Sequence, residues 1–239
     1  MKNLIRKILR EEIEDDLSWM KNNSISGEEL EELIRRTGST SIPFDRVSGN
    51  LNLGETPIQS LGNLETVGGY LNLGGTKIKD LGNLQSVGGN LNLGETPIQS
   101  LGNLETVGGN VYLWENPIKD LGNLQSVGGD LNLVGTKIQS LGNLQNVGGY
   151  LDLRETPIKD LGNLQSVGGH LDLRETPIQS LGNLQSVGSH LDLYGTPIKD
   201  LGNLQSVGGD LDLVGTPISK KYSEEQIRQM VQVNGNIYL

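Results

Sequence analysis

The side chains best suited to recognise or transform a ligand lie between residues 112 and 194. Tyr112, Trp114, Tyr150, Asp152, Arg154, His170, Asp172, Arg174, His190, Asp192 and Tyr194 fall at two-residue steps within stretches that recur every 20 residues. Trp, Tyr and Arg supply most binding hot spots, because they carry large contact area with a polar handle. The aspartates at 152, 172, 192 and 212 form a column. At the roughly 4.8 Å spacing of neighbouring strands, adjacent carboxylates repel by roughly 0.9 kcal/mol even at water's dielectric. Arg154 and Arg174, two residues along the same stretches, are placed to offset that repulsion. A Ca²⁺ ion held by carboxylate oxygens is the alternative, but no turn-type calcium motif is present. His170 and His190 are ligand types for a transition metal, although exposed polar histidines are the commoner outcome. The expectation is no metal site and no cofactor.

Catalytic chemistry finds little material. Ser189, His190 and Asp192 have the residue types of a triad, but neighbours on a strand alternate faces, which points 189 and 190 apart. There is no G-x-G-x-x-G, Walker loop, H-E-x-x-H or nucleophile elbow. The absence of cysteine removes thiolate nucleophiles, thiolate metal sites and disulfide frameworks. The chain therefore reads as a non-enzyme. With 19 basic and 29 acidic residues, the net charge of −10 argues against a nucleic-acid partner, which requires a basic patch. No apolar run reaches the roughly 18 residues of a membrane span. Lys2, Arg6, Lys7 and Arg10 interrupt what would have to be a signal peptide's apolar segment, so a cytoplasmic location is expected, or one the sequence does not specify.

These side chains ride on a repeat. From Leu51 onward Leu-x-Leu recurs every 20 residues, with Val111-Tyr112-Leu113 filling one slot. Leu71, Leu73, Ile78, Leu81, Leu84 and Val87 show the pattern: period two, which suits a short strand, then period three, which suits an extended or 3₁₀-like return path. Paired glycines such as Gly68-Gly69 close each circuit, where a bend or a close approach excludes side chains. One unit cannot bury its apolar side alone, so units stack as coils of a solenoid around one shared core. Thr56, Thr76, Thr96 and their equivalents form a single column, best read as turn-bonded or inward-facing.

The phrase VGGYLNLGGTKIKDL resembles the strand segment of the leucine-rich repeat family, L-x-x-L-x-L-x-x-N/C-x-L, in its short-repeat bacterial or viral type. The resemblance covers about residues 47–218. Leu71, Leu73 and Ile78 take the last three apolar slots and Thr76 the Asn/Cys slot. Gly68 stands in the first Leu slot, and Thr replaces Asn in eight of nine units, Asn116 being the exception. The resemblance implies a right-handed coil with one parallel β-sheet face, a 3₁₀ or extended return path and helical caps; another parallel β-solenoid remains the alternative.

The organisation expected is a helical N-terminal cap at 1–50, a solenoid at 51–218 and a C-terminal cap at 219–239. Leu4 to Met20 have helical spacing, and Ser26-Gly27-Glu28-Glu29 opens a second helix through a capping box. Ser223-Glu224-Glu225-Gln226 opens another, and Ile237-Tyr238-Leu239 supplies a final strand whose free edge offers a route to dimers. Variation between units concentrates on the outward strand positions, the usual binding surface of repeat proteins. The reading is a non-catalytic interaction module that binds a protein or glycan there. A structural or engineered scaffold without a dedicated ligand is the alternative, since near-identical units suit recent expansion or consensus construction. On the return path Gln-Ser alternates with Lys-Asp, a period of 40 that keeps like charges two units apart.

Overall fold

The computed structural model describes residues 25–239; the helix expected over 4–20 lies outside the described residues. The chain forms a β-solenoid of about nine turns. Each coil contributes two short strands, such as Ser86–Val87 and Leu91–Asn92, to two separate parallel sheets of eleven and ten strands. Partners in the repeat lie 20 residues apart: Leu71 pairs with Leu91, and Asn72 with Asn92. The expected parallel face is the ten-stranded sheet. The eleven-stranded sheet, centred on the Val column, was not anticipated. The glycine pair bends the chain between Val and Leu, splitting one extended run into two short strands.

Those glycines answer to close approach. A Cβ on Gly88 would sit 2.1 Å from the Gly68 carbonyl oxygen, and one on Gly108 would sit 2.2 Å from that of Gly88. Any side chain there forces adjacent coils apart. Inside the turns Leu51, Leu53, Ile58, Leu61, Leu64 and Val67, together with their repeats, are buried in one continuous core. Each buried aliphatic contributes about 1.5–3 kcal/mol. After each Leu-x-Leu the chain turns through a left-handed residue, Glu55 at φ 58° or Gly75 at φ 70°. The following threonine locks that turn: Thr76 donates through Oγ1 to the Leu73 carbonyl at 2.7 Å. From Thr76 to Thr216 these threonines are buried, so the column is part of the interior.

The return path explains its own period of 40. Ser140 donates to Asp160 at 2.6 Å and Ser180 to Asp200 at 2.7 Å, while Lys119 and Lys199 donate to Gln99 and Gln179 at 3.0 and 2.8 Å. Gln-Ser and Lys-Asp are complementary across adjacent coils, a stronger reason for alternation than the spacing of like charges.

Both ends close with helices, as the capping boxes imply. Helix α1 (Gly27–Thr37) starts at Ser26, whose side chain accepts from the Glu29 amide, and it buries Leu30 and Ile34. Glu31 of α1 accepts from the Asn52 amide and so covers the first rung of the ten-stranded sheet. At the other end α2 (Pro217–Lys221) and α3 (Glu224–Met230) follow the last turn. Arg228 of α3 donates to the carbonyls of Val233 and Gly235 at 2.8 and 2.9 Å, closing the edge of the eleven-stranded sheet. The final strand, Ile237–Tyr238, pairs with Leu211–Asp212.

Candidate binding face on the ten-stranded sheet

The middle residue of each Leu-x-Leu points outward, and the residue two further on flanks it. In the first three coils these positions are Asn followed by Gly. Asn72 donates through Nδ2 to Asn52 Oδ1, and Asn92 to Asn72 Oδ1, both at 2.9 Å. Each Oδ1 also accepts from the amide two residues on, Gly54, Gly74 or Gly94. The result is an asparagine ladder laid along the outside of the sheet. The sequence shows the asparagines, but their function as a ladder depends on the register.

From Asp152 onward the same positions are Asp with Arg, then Asp with Tyr194 or Val214. A carboxylate accepts but cannot donate, so the ladder needs another donor. Arg154 supplies it to Asp152 at 2.9 and 2.6 Å, and Arg174 does the same for Asp172 at 3.0 and 2.6 Å. Each guanidinium also reaches the next coil: Arg154 to Asp172 at 3.4 Å and Arg174 to Asp192 at 3.0 Å. The Asp–Arg reading of the column therefore holds. Asp152 and Asp172 were expected as ligand-facing residues, but each is only 1% exposed. The side chains around them seal them off, so what they present to solvent is the pair of arginines they hold.

Tyr150, His170 and His190 line up beside this column, with ring centroids 5.2 and 5.8 Å apart, the first pair tilted and the second edge to face. The Tyr150 hydroxyl lies 3.4 Å from Asp172 Oδ2. Burial, then the charge of Asp152, raises the Tyr150 phenol far above its ordinary range. Burial pushes the Asp172 carboxyl up, but the hydrogen bonds and charge of Arg174, aided by Arg154, outweigh it and hold the group below its ordinary value. Asp192 has Tyr194 where the preceding coils have arginine, and burial leaves its carboxyl raised despite the Tyr194 amide and Arg174. Burial also lowers the His170 imidazole, against the pull of Asp172 and Asp192. His190 Nδ1 accepts from the Asp210 amide at 2.9 Å.

His170, Asp172 and Asp192 each offer a ligand atom within 4.8 Å of the others. Arg174 already bonds both carboxylates, so the charge a dication would supply is provided by the chain itself. The arrangement fits an arginine-closed polar cluster.

Tyr112 and Trp114 stand apart from that cluster, because the coil beginning at Leu131 intervenes with Asn132 and Val134 on its face. They are 41% and 51% exposed, and Tyr194, at the far side of the arginine cluster, is 54% exposed. The expected single patch thus resolves into an aromatic site at 112–116 and an Asp–Arg–His cluster at 150–194. Around Tyr112 the sheet itself is interrupted. Leu93 bonds to the Tyr112 carbonyl and Leu133 to that of Asp152, both at 2.9 Å, but Leu113 and Asn132 do not bond. Within this sheet, the paired residues of these two coils are limited to Val111 with Leu131. A groove of about 600 Å³ opens there, lined by Tyr112, Trp114, Asn116, Asn132 and Thr136 among others. Sequence reading selected Tyr112 and Trp114 but passed over Asn116 as a binding residue; its departure from the Thr column was the available signal.

No protein-family model matches this chain, and no curated protein is similar to it. No helix among the described residues is long and apolar enough to cross a membrane. The fold and face together define the class of molecule: a capped parallel β-solenoid with one differentiated sheet surface.

Proposed function

We propose that this protein is a non-catalytic interaction module that binds a protein or a glycan through the outward face of the ten-stranded sheet, residues 112–194. The observation that carries this reading is the exposure of Tyr112, Trp114 and Tyr194, the most exposed aromatics between residues 112 and 194, beside Asn, Asp and Arg side chains that bond to one another. Large aromatics left half open to solvent are the usual anchors of recognition. The leucine-rich repeat likeness belongs to the same proposal. Leu71, Leu73 and Ile78 take that family's apolar slots, and the Thr76 hydroxyl bonds within the turn at the slot where the family has Asn or Cys.

The scaffold reading draws on the return path, where the surface pairs Ser140–Asp160 and Lys199–Gln179 serve the stacking of coils alone. The two readings separate in a glycan-array and peptide-array comparison of the parent with a variant carrying Ser at 112, 114, 150 and 194, with circular dichroism as the folding control. A ligand bound by the parent and lost by the folded variant supports the face. Identical profiles, or no ligand for either, would leave the scaffold reading in place.

A further inference from the structure

We propose that the groove between the coils beginning at Val111 and Leu131 is a subsite for a neutral sugar ring, stacked on Trp114 and hydrogen-bonded to Asn116. This rests on the binding reading above and gives it a ligand class. Four departures from the repeat fall within six residues: Val111 for Leu, Tyr112 for Asn or Asp, Trp114, and Asn116 for Thr. The broken rung between Leu113 and Asn132 and the groove both fall at these same residues.

Asn116 carries the strongest mark of a ligand. The residue is only 9% exposed. Its Nδ2 is committed to the preceding coil, donating to the Leu93 and Thr96 carbonyls at 3.2 and 3.1 Å and to Thr96 Oγ1 at 2.8 Å. Those acceptors fix the amide orientation and leave Oδ1 buried without a donor. Burying an acceptor unpaired costs about 1–3 kcal/mol, whereas Thr at this position in the other coils bonds fully within its own turn. Asn116 is one of the residues lining the groove, so a hydroxyl that enters there and displaces the atoms covering Oδ1 would satisfy it.

Trp114 supplies the second half of the recognition. Its indole lies against the bare backbone of Gly94, where a Cβ would come within 2.2 Å of Cε2. The seat fixes one side of the ring and leaves half the residue open to solvent. A pyranose offers both complements at once: hydroxyl donors on its rim and an apolar C–H face for the indole. The groove itself holds amides, aromatics and aliphatics, with Glu115 its sole charged lining residue. Glu115 and the net charge of −10 both select against acidic sugars.

The test is a heteronuclear NMR titration of the full chain with chitotriose, cellotriose and maltotriose, using trigalacturonic acid as the acidic control. At least one neutral sugar should shift the Trp114 indole and Asn116 side-chain signals saturably, and the acidic one should not. Asn116→Thr, which restores the residue of eight other coils, and Gly94→Ala, which unseats the indole, should each weaken binding at least tenfold with the fold intact. Silence of the Trp114 and Asn116 signals with all three neutral sugars, or undiminished binding by folded N116T, overturns the subsite. If the arrays nonetheless find a peptide that the parent binds and the four-serine variant does not, the subsite falls alone and the face survives. If the arrays are also silent, both fall.

Discussion

The coils at 51–94 and those at 151–194 share a backbone, a period and a core, yet they hold the outside of the same sheet by opposite means. In the first group an amide both donates and accepts, so Asn52, Asn72 and Asn92 bond to one another and need only glycine beside them. In the second group Asp152 and Asp172 accept only, and stability is delegated to Arg154 and Arg174. At the two coils where the central Asp is almost fully buried, Asp152 and Asp172, the residue two positions on has changed with it, from glycine to arginine. The coil at 111–116 departs furthest, having neither Asn nor Asp at the strand centre, and it is there that we propose recognition.

The largest effect that would break this comparison is removal of an arginine. Arg174→Ala leaves Asp172 buried beside Asp192 without its closest cation, and should cost about 2–3 kcal/mol in chemical denaturation, the full penalty for a broken buried pair being moderated by the guanidinium's partial exposure. Adding Asp172→Asn should recover part of it, because an amide can donate along the column. The mirror substitution, Asn72→Asp, removes the donor to Asn52 where no arginine stands nearby. It should cost about 1–2 kcal/mol, and a compensating Gly74→Arg should recover part of that loss; no recovery would contradict the pairing of the two positions.

A change common to both groups is smaller. Glu55 and Glu175 hold left-handed φ values of 58° and 60°. Replacing either with Gly should stabilise by about 0.5–1 kcal/mol, equally in the two regions and without altering ligand binding. Smallest is a pH effect confined to the second region. The folded-state value of His170 is lowered, so the folded chain binds that proton less readily than the unfolded one. Its contribution is therefore intact above the unfolded value of about 6.5 and is eroded as pH falls below it. Asp172, Asp192, Arg174, Tyr150 and His190 surround it, and the raised Asp192 carboxyl acts with the opposite sign where it titrates. Hydrogen exchange between pH 7.5 and 5.5 should show coils 151–190 losing protection while coils 51–94 do not, and His170→Asn should remove the difference.

Much of this was legible in the sequence because the repeat turns one local observation into many. Leu-x-Leu fixed the core ladder, and Ser26-x-x-Glu29 and Ser223-x-x-Gln226 fixed the caps. The eleven-stranded sheet was not legible, since Val followed by two glycines carries no alternation from which to read a strand. Nor was the burial of Asp152 and Asp172, on which Arg154, Arg174 and Tyr150 converge from the same and the preceding coil. The groove escaped for a related reason: a broken rung is a property of two coils, whereas Tyr112, Trp114 and Asn116 each looked like a separate substitution.

The measurement that tests the account most directly is the affinity of the parent and of a Tyr112→Ser, Trp114→Ser double variant for an array-identified ligand, alongside their melting temperatures. The account predicts at least a tenfold loss of affinity with melting unchanged, because the two exposed aromatics support recognition and not the fold. Equal affinity, or a loss that merely tracks unfolding, would contradict it.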